Sequence, residues 1–387
     1  MKLKQRPEDF QVEELTEVAP VGRGDFALYR LEKRGWSTPD ALAALRRRWK
    51  IEPRRVSYGG LKDRHAWTVQ YLTIFHGPQR NLTHHGVHVE YLGQVLAPYT
   101  SGDIRANRFR LTLRSLTPAE AAAALRALEE VRVEGVPNYF DDQRFGSVPA
   151  DGEFIARLMV QGRFEDALRL ALTAPYEYDR ADTKQEKALL RAHWGDWAVL
   201  KERLPRGHAR SLVDYLMHHP ADFRGALARL RPELRGLYLS AYQSHLWNRA
   251  LARWLRQHCR PEQLLPVTLR LGEVPMHRGL DAEQFRQLRD LSLPLPSARL
   301  KMDPSDPRLA PVLEVLAEEG LTLRQLRIKG IRELFFSKGE RAALCLPAGL
   351  EGRAESDELH PGRQKLVLAF ELPRGSYATL IIKRISA

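Results

Sequence analysis

The sequence is poor in cysteine and has no long apolar run, and these two absences exclude several classes of protein. Its two cysteines, Cys259 and Cys345, do not form a C-x-x-C pair. A disulfide framework or a cysteine zinc site is therefore not expected, and a reducing cytoplasm fits. No run of about 18 apolar residues could span a membrane. The first residues, MKLKQR, contain no apolar core, so no signal peptide is expected.

Glycine-rich and catalytic loops of the common cofactor enzymes are also missing. The chain has no G-x-x-x-x-G-K-[ST] loop and no G-x-S-x-G elbow, and the GRG at 22–24 lacks the third glycine of a dinucleotide fingerprint. His84, His85 and His88 could mimic a metal pair, but Gly86 and its β-branched neighbours favour a surface strand over the helix that such a pair needs. No metal site and no cofactor are expected.

The charge balance is strongly basic. The 387 residues carry a net charge of +13, with 43% hydrophobic and 28% charged residues. This length predicts two domains, and the composition is that of a globular protein with a sizeable core. A basic balance favours an anionic partner, most often nucleic acid, although a merely solvated basic surface is the alternative.

The hydrophobic patterns change twice along the chain. The first part, to about 149, alternates strand-like and helical patterns, and Thr38 and Thr117 are the predicted N-caps of its two helices. From about 150 to about 305 one predicted helix follows another, and the end returns to predicted strands at 365–372 and 377–385. This succession predicts an α+β fold, in which a largely helical domain interrupts another domain at an exposed loop.

The predicted elements of these parts are as follows. The strands are 10–15, 26–31, 56–58, 68–75 and 107–114, and the helices are 39–49, 119–131, 152–161, 163–172, 184–193 and 241–258.

Three polar segments could carry chemistry. The segment GLKDRHA at 60–66 places Asp63 among Lys62, Arg64 and His65. Neighbouring cations favour an ionised carboxylate, which can act as a nucleophile or base. A surface loop of ion pairs explains the same residues. The segments at 138–146 and 240–248 mix aromatic and amide side chains, which could stack on or pair with bases. Ordinary packing explains them equally well.

Together these segments resemble the TruD family of pseudouridine synthases. PEDFQVEE at 7–14 is similar to the family's PEDF-x-V-x-E element, and 60–70 is similar to G-x-KD-x-x-A-x-T-x-Q. NYFDDQRFG at 138–146 resembles NYFG-x-QRFG, and SAYQSHLWN at 240–248 resembles SAYQS-x-L-F-N. The segment FELPRGSYAT at 370–379 also matches. Each match alone has modest specificity, but together the matches are highly specific, because they occur in family order over nearly the whole chain.

The resemblance implies roles for particular residues. Asp63 takes the position of the catalytic aspartate, while Phe10, Asn138 and Phe370 take positions that contact the target nucleotide. Phe140 falls where other pseudouridine synthase families place a tyrosine. Lys62 is assigned more loosely, to pairing with Asp63 or with phosphate.

The sequence departs from the family pattern at three places, of which none removes the aspartate. Asp141 replaces a glycine, Trp247 replaces a phenylalanine, and the chain ends in IKRISA.

The implied architecture is a pseudouridine synthase catalytic domain at 1–149 and 306–387, with an inserted helical TRUD domain at 150–305. Basic stretches of the insertion, such as 203–210, could lie along phosphates. The expected activity is isomerisation of a uridine in tRNA, by family analogy uridine 13, by a monomer that needs no small-molecule cofactor. Two alternatives remain: an inactive RNA-binding or RNA-folding protein on the same fold, and a hydrolase that uses Asp63.

Overall fold

The computed structural model describes residues 1–176, 179–303, 305–331 and 334–387. Over these residues the chain is a mixture of helices and sheet, and the predicted α+β class is confirmed. Within them, none of the helices combines the length and the apolar composition that crossing a bilayer requires.

The chain forms two compact units. The first consists of Met1–Val136 and Cys345–Ala387, and the second is Pro137–Leu344. The second unit therefore includes the region predicted as an insertion and extends beyond it at both ends. The domain boundaries at 149/150 and 305/306 stay a prediction.

The strands of the described residues are β1 (Phe10–Thr16), β2 (Phe26–Arg34), β3 (Val56–Tyr58), β4 (Trp67–Phe75), β5 (Leu82–His84), β6 (Val87–Val95), β7 (Ile104–Leu116), β8 (Val136–Pro137), β9 (Leu264–Leu269), β10 (Gly272–His277), β11 (Ser292–Pro294), β12 (Glu340–Ala342), β13 (Leu344–Cys345), β14 (Ala348–Ser356) and β15 (Gln364–Pro373).

The α-helices are α1 (Thr38–Trp49), α2 (Pro118–Glu134), α3 (Ile155–Val160), α4 (Phe164–Thr173), α5 (Ala181–Ala192), α6 (Trp197–Arg203), α7 (His208–His218), α8 (Phe223–Ala228), α9 (Pro232–His258), α10 (Ala282–Asp290), α11 (Ala310–Glu318) and α12 (Ala378–Ile385).

One large sheet organises the first unit. Its strand order is β14-β15-β7-β1-β4-β2-β6-β5, and β3 also pairs with β4. Each of these pairs is antiparallel except β1 with β4, which is parallel. Parallel neighbours begin at the same edge of a sheet. The segments that precede β1 and β4, two central strands of the order, therefore lie close together at that edge.

The motif spacings follow from the alternation of side chains along these strands. In β1, Phe10, Val12 and Glu14 are buried, whereas Gln11 and Glu13 are half-exposed on the opposite face. In β2, the alternate residues Tyr29, Leu31 and Lys33 are fully buried. Helix α1 packs on this same face through Leu42 and Leu45, and α2 packs on β14 and β15 at the other end of the sheet.

The second unit is mainly helical. Its longest helix, α9, packs against α3, α11 and strand β10. Two small antiparallel pairs, β9 with β10 and β11 with β12, complete the described part of the unit. The predicted helix 241–258 is the C-terminal two-thirds of α9, which begins at Pro232, a residue favoured in the first turn.

Two predictions of local structure were wrong. The N-cap of α1 is Ser37, whose hydroxyl accepts a hydrogen bond from the Asp40 amide; Thr38 lies inside the helix and its hydroxyl makes tertiary contacts instead. The predicted strand 377–385 is helix α12. Its buried Ala378, Ile381 and Ile385 have helical spacing, and packing against α2 outweighs the preference of isoleucine for strands.

The histidines at 84–88 belong to a surface hairpin, in agreement with the predicted surface strand. Strands β5 and β6 are joined by His85 and Gly86, both at positive φ, as a two-residue turn of this kind requires. Among the described residues, no group of three or more His, Cys, Asp or Glu side chains is arranged to hold a metal ion.

Candidate active site

Asp63 lies in the loop between β3 and β4, at the centre of the sheet of the first unit. One of its carboxylate oxygens accepts a hydrogen bond from Lys4 Nζ at 2.5 Å. The side chain of Asp63 is 34% exposed, and that of Lys4 is 24% exposed. The carboxylate is therefore accessible to a substrate, and an adjacent ammonium stabilises its negative charge.

Lys4 is a site residue that the sequence patterns did not identify. Its ammonium also lies 4.0 Å from the centre of the Phe10 ring, so it is held between a carboxylate and an aromatic face. The backbone at Lys4 is left-handed, with φ of 58°. Two hydrogen bonds between Lys2 and Arg114 anchor the chain just before it. A left-handed residue other than glycine is costly, and such costs concentrate at functional positions.

Lys62, the neighbour of Asp63, is turned toward the interior. Its Nζ donates to Asn107 Oδ1 at 2.6 Å and forms an ion pair with Glu14 at 3.0 Å. Glu14 is fully buried and also accepts a hydrogen bond from the Tyr71 amide. The structure thus gives Lys62 partners other than Asp63 or a phosphate. The glutamate that ends the PEDF-x-V-x-E element anchors the KD pair.

Three phenylalanines form a row across neighbouring strands on the same face. Phe109 of β7 meets Phe10 of β1 edge-on, with ring centres 6.4 Å apart, and stacks on Phe370 of β15 at 5.5 Å. The register of the sheet causes this contact, because Phe109 is paired with Phe370 and lies opposite Val12. Phe10 and Phe370, both predicted site residues, are thereby brought together. Phe109 was not predicted as a site residue.

Asp9 of the PEDF element is unsuited to catalysis because it is buried and fully paired. Asp9 is 1% exposed, and both its oxygens accept hydrogen bonds from the Arg114 guanidinium. Those hydrogen bonds raise the pKa of Arg114 further above its usual range. Arg114 also pairs with buried Asp357 at 3.0 Å. Asp9 is therefore a structural anchor between β1, β7 and the chain after β14, whereas Asp63 retains an accessible carboxylate.

Asn138 and Phe140 belong to the second unit, where their segment is fixed from two sides. The Asn138 amide group donates to the Ala342 carbonyl at 3.0 Å, and its oxygen accepts from Arg341 at 2.7 Å. The backbone N–H of Phe140 donates to Asn248 Oδ1, and the Phe140 carbonyl accepts from Asn248 Nδ2, both at 2.8 Å. The final asparagine of the SAYQSHLWN segment thus holds the NYF segment.

The Phe140 ring is surrounded by cations and an aromatic edge. The Arg341 guanidinium lies 4.1 Å and the Arg144 guanidinium 5.2 Å from its centre, and Trp247 meets it edge-on at 5.5 Å. Arg341, like Lys4, was missed because no local pattern marks it. It is distant in sequence from the asparagine and the ring that it contacts.

The chain matches the protein family described as "tRNA pseudouridine synthase D (TruD)" over residues 1–385. It is 33% identical to "Probable tRNA pseudouridine synthase D 2" of Methanocaldococcus jannaschii, over 99% of this chain and 91% of that protein. It is 29% identical to tRNA pseudouridine synthase D of Aquifex aeolicus, over 100% of this chain and 98% of that protein. A crystal structure of TruD from Methanosarcina mazei is similar with a TM-score of 0.72 and 27% identity, over 100% of this chain and 93% of that one.

Proposed function

Because the chain belongs to the TruD family of tRNA pseudouridine synthases, we propose that it converts uridine 13 of tRNA to pseudouridine, with Asp63 as the catalytic carboxylate. Membership makes it an isomerase that acts on a tRNA uridine. Two points go beyond family membership and are proposed: uridine 13 as the target, and Asp63 as the catalytic residue. The observation that carries it is the accessible Asp63 carboxylate, paired with Lys4 beside the aromatic row of Phe10, Phe109 and Phe370.

The reaction breaks the bond between uracil N1 and C1′ of the ribose and joins C5 to C1′. N1 gains a proton and C5 loses one, so the reaction needs no oxidant and no group donor. Asp63 can enter this sequence by attacking C1′ or by removing the 2′ proton. Either step uses an ionised carboxylate that the ribose can reach, which the 34% exposure of the Asp63 side chain allows. Lys4 holds the carboxylate in place until the sugar reaches it.

Phe10, Phe370 and Phe140 are the proposed apolar contacts of the detached uracil. The uridine must first leave its stack, which costs a few kcal/mol, and aromatic faces offset part of that cost. Phe10 and Phe370 are 5% and 2% exposed. Stacking therefore requires a local rearrangement when tRNA binds. Asn138 is the proposed hydrogen-bonding partner of the nucleotide, in exchange for an internal partner such as the Ala342 carbonyl or Arg341.

Lys62 is proposed to support the loop and not to contact RNA, since Glu14 and Asn107 already bind its ammonium. We further propose that region 150–305 is the inserted TRUD domain, and that the protein acts on tRNA in the cytoplasm as a monomer. Size-exclusion chromatography with light scattering tests the proposed monomer.

The deciding experiment maps pseudouridine in a tRNA pool before and after incubation with the protein. We expect new pseudouridine at position 13, and none in a matched transcript that carries cytidine there. Modification at another position would contradict the proposed target while leaving the family activity intact. Free uracil or a cleaved chain would favour a hydrolase. Tight binding without any product would favour the inactive RNA-binding alternative.

A further inference from the structure

A cluster of fully buried polar side chains lies directly beneath the loop that carries Asp63. Lys33 at the end of β2, Thr38 in α1 and Gln70 in β4 are each 0% exposed. Buried polar groups are costly unless they are hydrogen-bonded. Each of the three forms a hydrogen bond with a backbone group of the loop 60–63.

Lys33 makes the most contacts with this loop. Its Nζ donates to the carbonyl oxygens of Asp63 at 2.8 Å, Lys62 at 3.3 Å and Trp36 at 2.7 Å. In the part of the chain that the structure describes, no carboxylate pairs with this ammonium. A buried cation with neutral acceptors alone contributes little net stability, so a role in function explains the burial better than a role in folding.

Thr38 and Gln70 complete the cluster from the other side of the loop. The Thr38 hydroxyl accepts a hydrogen bond from the Lys62 amide at 2.9 Å and donates to Gln70 Oε1 at 2.8 Å. Gln70 Nε2 donates to the Gly60 carbonyl at 3.1 Å. Together with Lys33, these groups bind four backbone atoms of residues 60–63 and fix the direction from which the Asp63 side chain leaves the loop.

We propose that Lys33, supported by Thr38 and Gln70, is a positioning residue that holds the Asp63 loop in its catalytic geometry through the charge of its buried ammonium. The inference rests on the proposed catalytic role of Asp63. Lys33 acts through the backbone of that residue and does not touch the substrate. A displacement of about 1 Å at a reacting group costs on the order of 100-fold in rate. The two hydrogen bonds that the buried Lys33 ammonium donates to the Lys62 and Asp63 carbonyls are a direct means of preventing it.

The electrostatic surroundings support this role. Burial lowers the pKa of Lys33 to about 8, while the Asp63 charge raises it and the Lys62 charge lowers it. These are the ionisable groups that act on it from the loop. The ammonium is therefore charged at neutral pH but close to its titration range. The geometry of the loop thus depends on a proton that is held less firmly than that of an exposed lysine.

The test replaces Lys33 by methionine, which has nearly the same length but no charge and no donor. We expect Lys33→Met to reduce the single-turnover rate about 100-fold, while the Kd for tRNA changes less than threefold and the protein remains folded by circular dichroism. The matched control is Tyr29→Phe. It removes a 2.6 Å hydrogen bond to the Pro78 carbonyl from a buried residue of the same strand and face, and it should leave both quantities within threefold.

The outcomes separate the alternatives. A fall of less than tenfold for Lys33→Met, or a fall that weaker tRNA binding accounts for, overturns the inference. If Lys33→Met does not fold, Thr38→Val and Thr38→Ser test the positioning role instead. The single-turnover rate of Thr38→Val must then fall tenfold or more, and that of Thr38→Ser must stay at the wild-type value. Asp63→Asn is measured in the same assay. An active Asp63→Asn overturns the catalytic assignment itself, whereas an inactive Asp63→Asn with an active Lys33→Met overturns the positioning role alone.

Discussion

Asp63 and Lys4 are 59 residues apart in sequence, yet their side chains form a hydrogen bond of 2.5 Å. Lys4 reaches the carboxylate because the segment before β1 and the loop before β4 lie at the same edge of a parallel pair. Its left-handed backbone turns the side chain across the Phe10 ring. At the scale of single residues, the site therefore consists of one accessible acid, one cation that restrains it, and aromatic rings beside both.

Replacement of Asp63 by asparagine keeps the shape of the side chain and removes its ability to act as a nucleophile or base. We expect Asp63→Asn to lose at least about 1,000-fold in single-turnover rate, with the Kd for tRNA within threefold of wild type. The matched control is Glu13→Gln, a half-exposed acid of β1 on the opposite face of the sheet. Turnover of Asp63→Asn within tenfold of wild type would refute its catalytic role.

The pH dependence of the rate should report the protonation of Lys33. The wild-type single-turnover rate is expected to fall as the pH rises through about 8, because burial lowers the Lys33 pKa to about 8 and the neutral amine holds the loop less firmly. Lys33→Met should be slow at all pH values and lack this alkaline decrease. The measurement is a rate profile from pH 6.5 to 9.5 with tRNA binding followed at each point. An identical alkaline decrease in both proteins would contradict the assignment.

Unfolding should not cause the alkaline decrease in rate, because the titration of Lys33 makes the folded state more stable, not less, as the pH rises. Burial lowers the pKa of Lys33 in the folded state to about 8, whereas an exposed lysine has an ordinary pKa of 10.5. Between these values the unfolded state therefore binds more protons than the folded state. The contribution of Lys33 to the free energy of unfolding therefore increases with pH in this window. Urea titrations at pH 7.5 and 9 measure the free energy of unfolding of both proteins. A wild-type protein that is less stable at pH 9 than at pH 7.5, with no such difference in Lys33→Met, would contradict this expectation.

At the scale of elements, the family motifs are the buried sides of strands and the fixed ends of loops. In β1, Phe10 contributes to the aromatic row, Val12 packs, and Glu14 anchors Lys62. In the second unit, α9 supplies Asn248, which binds both backbone groups of Phe140. The spacing of these motif residues in β1 and α9 thus has a structural cause.

The connection from α6 into α7 carries a basic segment suited to phosphates. Arg206 is exposed, and among the described residues it has no ion-pair partner; Arg210 is half-buried in α7, four residues before Asp214. If this segment grips the body of the tRNA, Arg206→Gln with Arg210→Gln should raise KM about fivefold and change kcat less, because uniform binding is lost.

The matched control for that pair is Arg286→Gln with Arg289→Gln in α10. These two arginines are exposed but already paired with Glu283 and Asp290, so their loss should leave KM nearly unchanged. An unchanged KM in the Arg206 and Arg210 variant, with the fold intact, would show that the segment does not hold the substrate.

At the scale of the whole molecule, the net charge of +13 should make tRNA binding strongly dependent on salt. Each neutralised phosphate releases counterions, with a log–log slope of about −0.7 per contact on single strands and more on duplex. About five contacts would weaken binding roughly 100-fold between 50 and 200 mM KCl. Binding of Asp63→Asn at constant magnesium measures the slope, and a flat titration would mean that the basic surface is only solvated.

Part of this protein can be predicted from its sequence, because strand and helix periods and motif order are local properties. The α+β class, the strands that begin at Phe10 and Phe26, and the Thr117 cap of α2 follow from such patterns. So does the family, through five segments in order. The same patterns placed Asp63 in a polar loop between two strands, as the structure does.

Only the tertiary structure decided which groups meet. Lys4 and Lys33 reach Asp63 or its loop from 59 and 30 residues away, and no local pattern encodes such contacts. The same reason explains the errors: the Thr38 hydroxyl is taken by the loop, so Ser37 caps α1. Residues 378–385 form a helix because their apolar side chains are buried with α2 alongside. The sequence of an element specifies which of its side chains must be buried, but the tertiary structure decides which other element packs against them.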